Sequence, residues 1–285
     1  MKLIRFGPPG IELPGILLAS GTRKNLSAQF LDWDARFFRE DGLARLAEYA
    51  TAENLRSAPD VPRHARWAAP ISRPSKVVCV GLNYSDHAIE AGQPIPPEPI
   101  LFLKAPNTMI GPYDPIQIPP GATKTDWEIE LAIVIGRGAR RLASPEAAQS
   151  CVAGYCISND VSERAFQLEH GSQWTKGKSC DTFLPLGPWV ATPDEIPDPG
   201  DLPMTLKVND KVMQQGHTSK MIFGVDFLIW HISQFMTLEP GDLVSTGTPA
   251  GVGGGMKPPR FLRENDEVQL EIQGLGQQRS RCVAV

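Results

Sequence analysis

The sequence predicts a β-rich α+β fold, with a small N-terminal unit ahead of a larger domain. Three observations predict it. The 285 residues include 27 prolines and 26 glycines, and long, strongly helical stretches are few. Short apolar runs recur between turn formers, and several alternate with period two as strands do. Finally, Ser57-Ala58-Pro59-Asp60-Val61-Pro62-Arg63 is a run of turn formers that reads as a linker, dividing the chain into residues 1–70 and 71–285.

Composition supports that arrangement and narrows the function. Hydrophobic residues make up 41%, enough for one large core with a small one beside it. Charged residues make up 21% with a net charge of -4 and no basic stripe, which argues against nucleic acid as a partner. No uncharged apolar run reaches the roughly 18 residues of a membrane span. The opening Met1-Lys2-Leu3-Ile4-Arg5-Phe6 lacks the apolar core of a secretory signal. The five cysteines are odd in number and contain no CxxC pair, as expected for reduced thiols in a cytoplasmic protein.

In the N-terminal unit, residues 1–6 and 15–19 read as strands. Residues 42–50 read as a helix with Leu43, Leu46 and Ala47 on one face. No catalytic constellation is visible there, so scaffolding or oligomer contact is expected. The larger domain opens on a buried strand at 76–81. A short helix follows, with Ser85 as its N-cap and Gly92 as its stop. On it, His87 and Glu90 are three apart and share a face. A carboxylate beside an imidazole can fix its tautomer and raise its basicity; an ordinary surface ion pair has the same spacing. Residues 93–99 carry four prolines and form a candidate lid or a stiff connector. Ile100 to Lys104 is another strand, and residues 109–120 read as a chain of turns.

Residues 125–136 read as one strand ending at a glycine turn. Ile129, Leu131 and Ile133 alternate against Glu128, Glu130 and Ala132, so both glutamates project on one side, one pleat apart. Two such carboxylates repel if both ionise, and need water, a shared proton, an arginine or a metal. Asp160 ends a second apolar run, Tyr155 to Asn159. Three carboxylates at strand ends, with no Cys or His nearby, suit a hard cation such as Mg²⁺; a solvated strand face is the structural alternative.

After Asp160, Ser162 can cap a short helix that places Arg164 and Gln167 on one face, where both could hold a carboxylate or carbonyl. Gly177-Lys178-Ser179 has the ending of a phosphate loop. The glycine that motif requires at position 172 is Ser172, however, and no strand-to-helix context surrounds it. Lys178 is left as an electrostatic group near the acids. Residues 206–214 form a hairpin turning at Asn209-Asp210. The strongest helix spans 219–238, with Met221, Val225, Leu228, Ile232 and Phe235 on one 3.6-period face and His231 as a structural residue. A strand at 243 enters a glycine-rich loop ending at Gly253, and a last hairpin pairs 267–272 with 279–285.

Taken in order, these stretches resemble the fumarylacetoacetate hydrolase family. The resemblance rests on Val80-Gly81-Leu82-Asn83-Tyr84-Ser85-Asp86-His87, Phe102-Leu103-Lys104, Glu128-Ile129-Glu130-Leu131, Asn159-Asp160-Val161-Ser162-Glu163-Arg164 and Gly177-Lys178-Ser179. Pro240-Gly241-Asp242 and Thr246-Gly247-Thr248-Pro249-Ala250-Gly251-Val252-Gly253 complete it. No single motif decides; the unbroken order from 76 to about 272 is specific. The opening Lys2 to Phe6 resembles the longer bacterial members, which carry a small N-terminal domain.

The resemblance implies a mixed β-sandwich roll and a homodimer. It implies a divalent cation, Mg²⁺ or Mn²⁺ with Ca²⁺ as an alternative, on Glu128, Glu130 and Asp160. It implies a dyad of His87 and Glu90 in a lid, with Arg164, Gln167, Lys178 and Thr248 at positions that bind substrate oxygens or polarise the reacting carbonyl. Family members cleave C–C bonds of β-diketo acids, decarboxylate oxaloacetate-like acids or isomerise unsaturated hydroxy-diacids. The expected reaction is hydrolysis of an acylpyruvate or other 2,4-diketo acid, with His87 taking a proton from water and Lys178 stabilising the oxyanion. Its rivals are an isomerase or decarboxylase on the same site, and a non-catalytic metal-binding scaffold.

Overall fold

The computed structural model describes residues 1–171 and 173–285; Ser172, the position that spoils the phosphate-loop pattern, lies outside the described residues. Two sheets carry most of the chain. The larger has 11 strands. Its main path runs Arg23–Asn25, Leu13–Leu17, Lys2–Phe6, Leu184–Ala191, Val152–Asn159, Ile129–Ile135, Leu243–Ser245, Val77–Gly81, Ile100–Lys104. The smaller has 5 strands, in the order Lys211–His217, Pro203–Val208, Glu267–Ile272, Gly276–Ala284, Ile116–Ile118. Most pairings are antiparallel, whereas Leu243–Ser245 runs parallel to Val77–Gly81. The mixture of sheets with few helices is the β-rich α+β architecture expected from the prolines and glycines.

Ile129–Ile135 is the central strand, and every residue of it is buried. Ile129, Leu131, Ile133 and Ile135 face the core shared with Leu206, Val208 and Leu270 of the smaller sheet. Ala132 and Val134 face a second core, built with Leu184, Leu186 and the aromatic residues Phe30, Trp33, Phe37 and Phe38. The period-two pattern therefore holds, but both faces are covered. Lys2–Phe6 joins the larger sheet by pairing Lys2 with Ala191 and Leu3 with Val190. Trp33, fully buried, donates its indole N–H to the Ile4 carbonyl at 2.8 Å, which satisfies its one polar group.

Several elements depart from expectation, each for a visible reason. Residues 125–136 are not one strand: Thr125–Asp126 pairs with Ser162–Glu163, and Ile129–Ile135 starts afresh. Between them the backbone N–H groups go to side chains. Trp127 donates to Asp126 Oδ1 at 2.8 Å, Glu128 to Asn159 Oδ1 at 3.1 Å and Ile129 to Gln214 Oε1 at 3.0 Å. A ladder cannot continue where its donors are already used.

The helix expected at 219–238 is confined to Val225–Phe235. Upstream, Ile222 and Phe223 donate to the backbone and side-chain oxygens of Asn83 at 2.8 and 2.9 Å, which holds that segment in a bend outside the helix. Ser85 begins its helix rather than capping it, and Gly92 follows the end at φ 64°. Ser162 lies in a two-residue strand, and Glu163 caps the Arg164–Leu168 helix in its place. The run at 109–120 contains two short strands, Met109–Ile110 and Ile116–Ile118, both paired in parallel. Asn209 and Asp210 both take positive φ, 50° and 62°, as a tight two-residue hairpin turn requires. No helix among the described residues is long and apolar enough to cross a membrane.

Candidate active site

The break at Trp127–Glu128 builds the site. It brings Glu128 to the start of the central strand, beside Asp160, whose N–H donates to the Glu128 carbonyl at 3.0 Å. Glu128, Glu130 and Asp160 are 5%, 2% and 0% exposed, so they are not a solvated strand face. Each offers a carboxylate oxygen, and these oxygens lie within 4.8 Å of one another.

Three cations are packed against them. Lys178 Nζ spans Glu128 Oε2 at 2.8 Å and Asp160 Oδ2 at 2.7 Å. Lys104, whose side chain is fully buried, binds Asp160 Oδ1 at 2.5 Å. Arg164 reaches Glu128 Oε1 at 2.6 Å and Asp126 Oδ2 at 2.9 Å. Glu130 has no cation; it accepts from Ser245 Oγ at 2.5 Å and from the Gly247 N–H at 3.0 Å. Gly247 has φ 97°, and a Cβ there would lie 2.9 Å from Asn83, so glycine is required for this donor to approach.

The charges decide protonation. Burial opposes ionisation of Glu128, but Lys178 and Arg164 outweigh it and hold its carboxyl down at about 2. Burial likewise opposes the charge on Lys178, yet Asp160 and Glu128 raise its pKa. For Glu130, burial and then the charges of Asp160 and Glu128 push the carboxyl well above its ordinary range. Four buried carboxylates, counting Asp126, thus face three cations, and the deficit falls on Glu130. An all-oxygen set short of positive charge is what a hard divalent cation fits.

The dyad borders the same cleft. His87 Nδ1 lies 3.1 Å from Glu90 Oε2, and Glu90 Oε1 accepts the Gly251 N–H at 2.9 Å. A carboxylate at Nδ1 holds the proton there and leaves the Nε2 lone pair free. The preceding Leu82 has φ 51°, a strained conformation held by its neighbour Asn83, whose amide donates to Phe223 O at 3.0 Å and Thr246 O at 2.8 Å.

A cleft of about 990 Å³ unites these groups, with His87, Glu90, Glu128, Glu130, Arg164, Gln167, Lys178 and Thr248 all on its walls. Gln167 Oε1 accepts from Arg164 at 3.1 Å, which leaves its amide nitrogen as the donor for a ligand. The Thr248 hydroxyl donates to the Ile129 carbonyl at 2.8 Å and accepts from Gln214 at 2.8 Å, so its proton is already committed.

Two residues of this network escaped sequence reasoning. Asp126 binds Arg164 and also accepts the N–H groups of Gly253 and Gly254 at 2.7 and 2.9 Å. Its even spacing from Glu128 and Glu130 was the available signal. Lys104 stood in a recognised motif, but nothing local revealed its partner 56 positions on.

With this geometry in hand, comparison with known proteins is decisive. Residues 76–283 match the family model described as fumarylacetoacetate (FAA) hydrolase C-terminal. The chain belongs to the fumarylacetoacetate hydrolase family. A Burkholderia multivorans protein, named provisionally as a hydrolase, is 48% identical over 279 residues, covering 98% of this chain and 97% of that one. The solved fumarylacetoacetate hydrolase of Exiguobacterium antarcticum is 37% identical with a TM-score of 0.85, and the match covers 100% of both chains. The 2-hydroxyhepta-2,4-diene-1,7-dioate isomerase of Mycobacterium marinum is 34% identical with a TM-score of 0.76, covering 100% of this chain and 98% of that one. The family fold thus hosts both hydrolases and isomerases.

Proposed function

We propose that this protein hydrolyses a C–C bond of an acylpyruvate or other 2,4-diketo acid. The observation that carries the reading is one cleft holding two separate devices: a buried carboxylate set and a carboxylate-oriented histidine. A divalent cation, Mg²⁺ or Mn²⁺ with Ca²⁺ as the alternative, held by Glu128, Glu130 and Asp160 would supply the positive charge that a 2-oxo acid and its developing enolate need.

The chain's own groups do the rest. Arg164 and the amide of Gln167 orient substrate oxygens, with Thr248 shaping the wall beside them. His87 Nε2 takes a proton from water as that water attacks the distal carbonyl, and Glu90 stabilises the imidazolium that forms. Lys178 spends two N–H bonds on Glu128 and Asp160; the third of its ammonium donors is available to the new oxyanion. Collapse of the oxyanion breaks the C–C bond. The distal fragment leaves as an acid, and the pyruvate fragment recovers a proton at carbon.

The similarity to an isomerase supports a second reading, in which the cleft excludes water and His87 only moves protons. The same carboxylate set would also serve decarboxylation of an oxaloacetate-like acid. Product analysis separates them. Two acid fragments mean hydrolysis, CO₂ means decarboxylation, and an altered ultraviolet spectrum at unchanged mass means isomerisation. No turnover with any of these acids would leave only a metal-binding scaffold.

We read the protein as a cytoplasmic homodimer with residues 1–70 as a scaffold unit. Phe235 supports the dimer: 67% exposed, it packs on buried His231 at the end of a half-buried aromatic cluster in which Phe223 stacks on Phe227 and Phe227 packs against Trp230 and His231.

A further inference from the structure

We propose that the distal acyl group of the substrate is uncharged and apolar, alkyl or aryl, and that Trp174, with Phe102 and Ile100, selects it. This deepens the hydrolase reading and rests on it. The carboxylate set marks the polar end of the cleft. From there an aromatic wall leads outward. Lys178 Nζ lies 5.0 Å from the centroid of the Phe102 ring, and that ring meets Trp174 edge to face at 5.2 Å. Beyond it stand Gly81 and Ile100. A Cβ on Gly81 would fall 2.9 Å from the Trp174 ring and 3.6 Å from Ile100 Cγ2, so the indole fills the space that glycine leaves. Trp174 also shares a turn with Lys178, whose N–H donates to the Trp174 carbonyl at 3.1 Å. The group that would hold the oxyanion and the ring that would touch the acyl chain are therefore fixed relative to each other.

The cations of the cleft point the same way. Lys178 and Arg164 are held at the carboxylate end by the buried acids, and Lys124 is paired with Glu169. Lys257 is the one cation lining the cleft with no ion pair among the described residues, and it is exposed. A carboxylate laid against Phe102 and Trp174 would lose water without gaining a partner. An alkyl or aryl group there releases water from both surfaces, worth roughly three- to fivefold in affinity per buried methylene.

The test uses the full-length, cation-loaded protein and four acids that differ only at the distal end: acetyl-, pentanoyl-, benzoyl- and succinylpyruvate. The expected kcat/KM for the pentanoyl and benzoyl compounds exceeds that for the succinyl compound by about tenfold or more. Trp174→Ala should lower kcat/KM more for benzoylpyruvate than for acetylpyruvate, mainly through KM, and Trp174→Phe should restore most of the difference. Gly81→Ala, which pushes the indole into the cleft, should penalise benzoylpyruvate more than acetylpyruvate. A preference for succinylpyruvate that disappears in Lys257→Gln overturns the proposal, as does a ranking untouched by Trp174→Ala. Calorimetric binding of the four compounds to His87→Ala ranks the distal groups even without cleavage. Apolar-selective binding with no hydrolysis sinks the hydrolase reading alone, hydrolysis with the reverse ranking sinks this inference alone, and no binding at all sinks both.

Discussion

Glu90 grips His87 and the glycine-rich loop at once: Oε2 lies 3.1 Å from His87 Nδ1, and Oε1 accepts the Gly251 N–H at 2.9 Å. One carboxylate thus both orients the imidazole and docks the short Ser85–Glu90 helix over the cleft. If His87 activates water, His87→Ala should lower kcat by about 10²–10⁴-fold, with a much smaller change in KM. Glu90→Gln should cause a smaller loss in the same direction, and the double variant should be scarcely worse than His87→Ala, because the pair acts as a unit. Wild-type turnover by His87→Ala on a substrate the enzyme hydrolyses would refute the dyad.

Glu130 is the acid that the cations leave unpaired. Glu130→Gln preserves the acceptor for Ser245 and Gly247 and removes the ionisable group at a place where burial and the neighbouring acids already oppose its charged form. Without added metal, the variant should melt at or above the temperature of the wild type. Mg²⁺ or Mn²⁺ should raise the melting temperature of the wild type and not that of the variant, and activity should be lost. Full activity after exhaustive chelation would end the cation assignment.

Asp126 links Arg164 to the glycine-rich loop through three contacts, with Gly253, Gly254 and Arg164 Nε. Asp126→Ala removes one of the two carboxylates on the Arg164 guanidinium and strands three N–H groups, those of Trp127, Gly253 and Gly254. Breaking a buried pair in this way costs about 3–5 kcal/mol, readable by urea denaturation. Asp126→Asn should cost less and chiefly raise KM, since Arg164 loses its anchor but keeps Glu128. Stability unchanged in both variants would remove Asp126 from the network.

Exposed Phe235, at the end of the Val225–Phe235 helix, is expected to be covered by a second copy of the chain. Light scattering across the micromolar range should report twice the chain mass, and Phe235→Glu should shift it toward the monomer. A monomer mass for the wild type would refute the assembly.

The sequence by itself determined what depends on local covalent geometry. Period two placed Glu128 and Glu130 on one side, the three-residue spacing joined His87 to Glu90, and Asn209-Asp210 marked a tight turn. The first two follow from a fixed rotation per residue and the third from the tolerance of Asn and Asp for positive φ, so each was legible without knowing any distant partner. The ordered motifs carried the family.

Tertiary structure alone decided where those patterns stop and what they face. Residues 125–136 broke at Trp127 because Asn159 and Gln214, remote in sequence, took the backbone donors of Glu128 and Ile129. Asn83 likewise kept residues 222 and 223 out of the helix. Covering both faces of the central strand removed water from Glu128 and Glu130; Lys178 and Arg164, brought in from other elements, settled the charge of Glu128, and Glu130 was left without a cation. Hydrogen-bond partners and dielectric surroundings arise from long-range packing, and no local spacing encodes them.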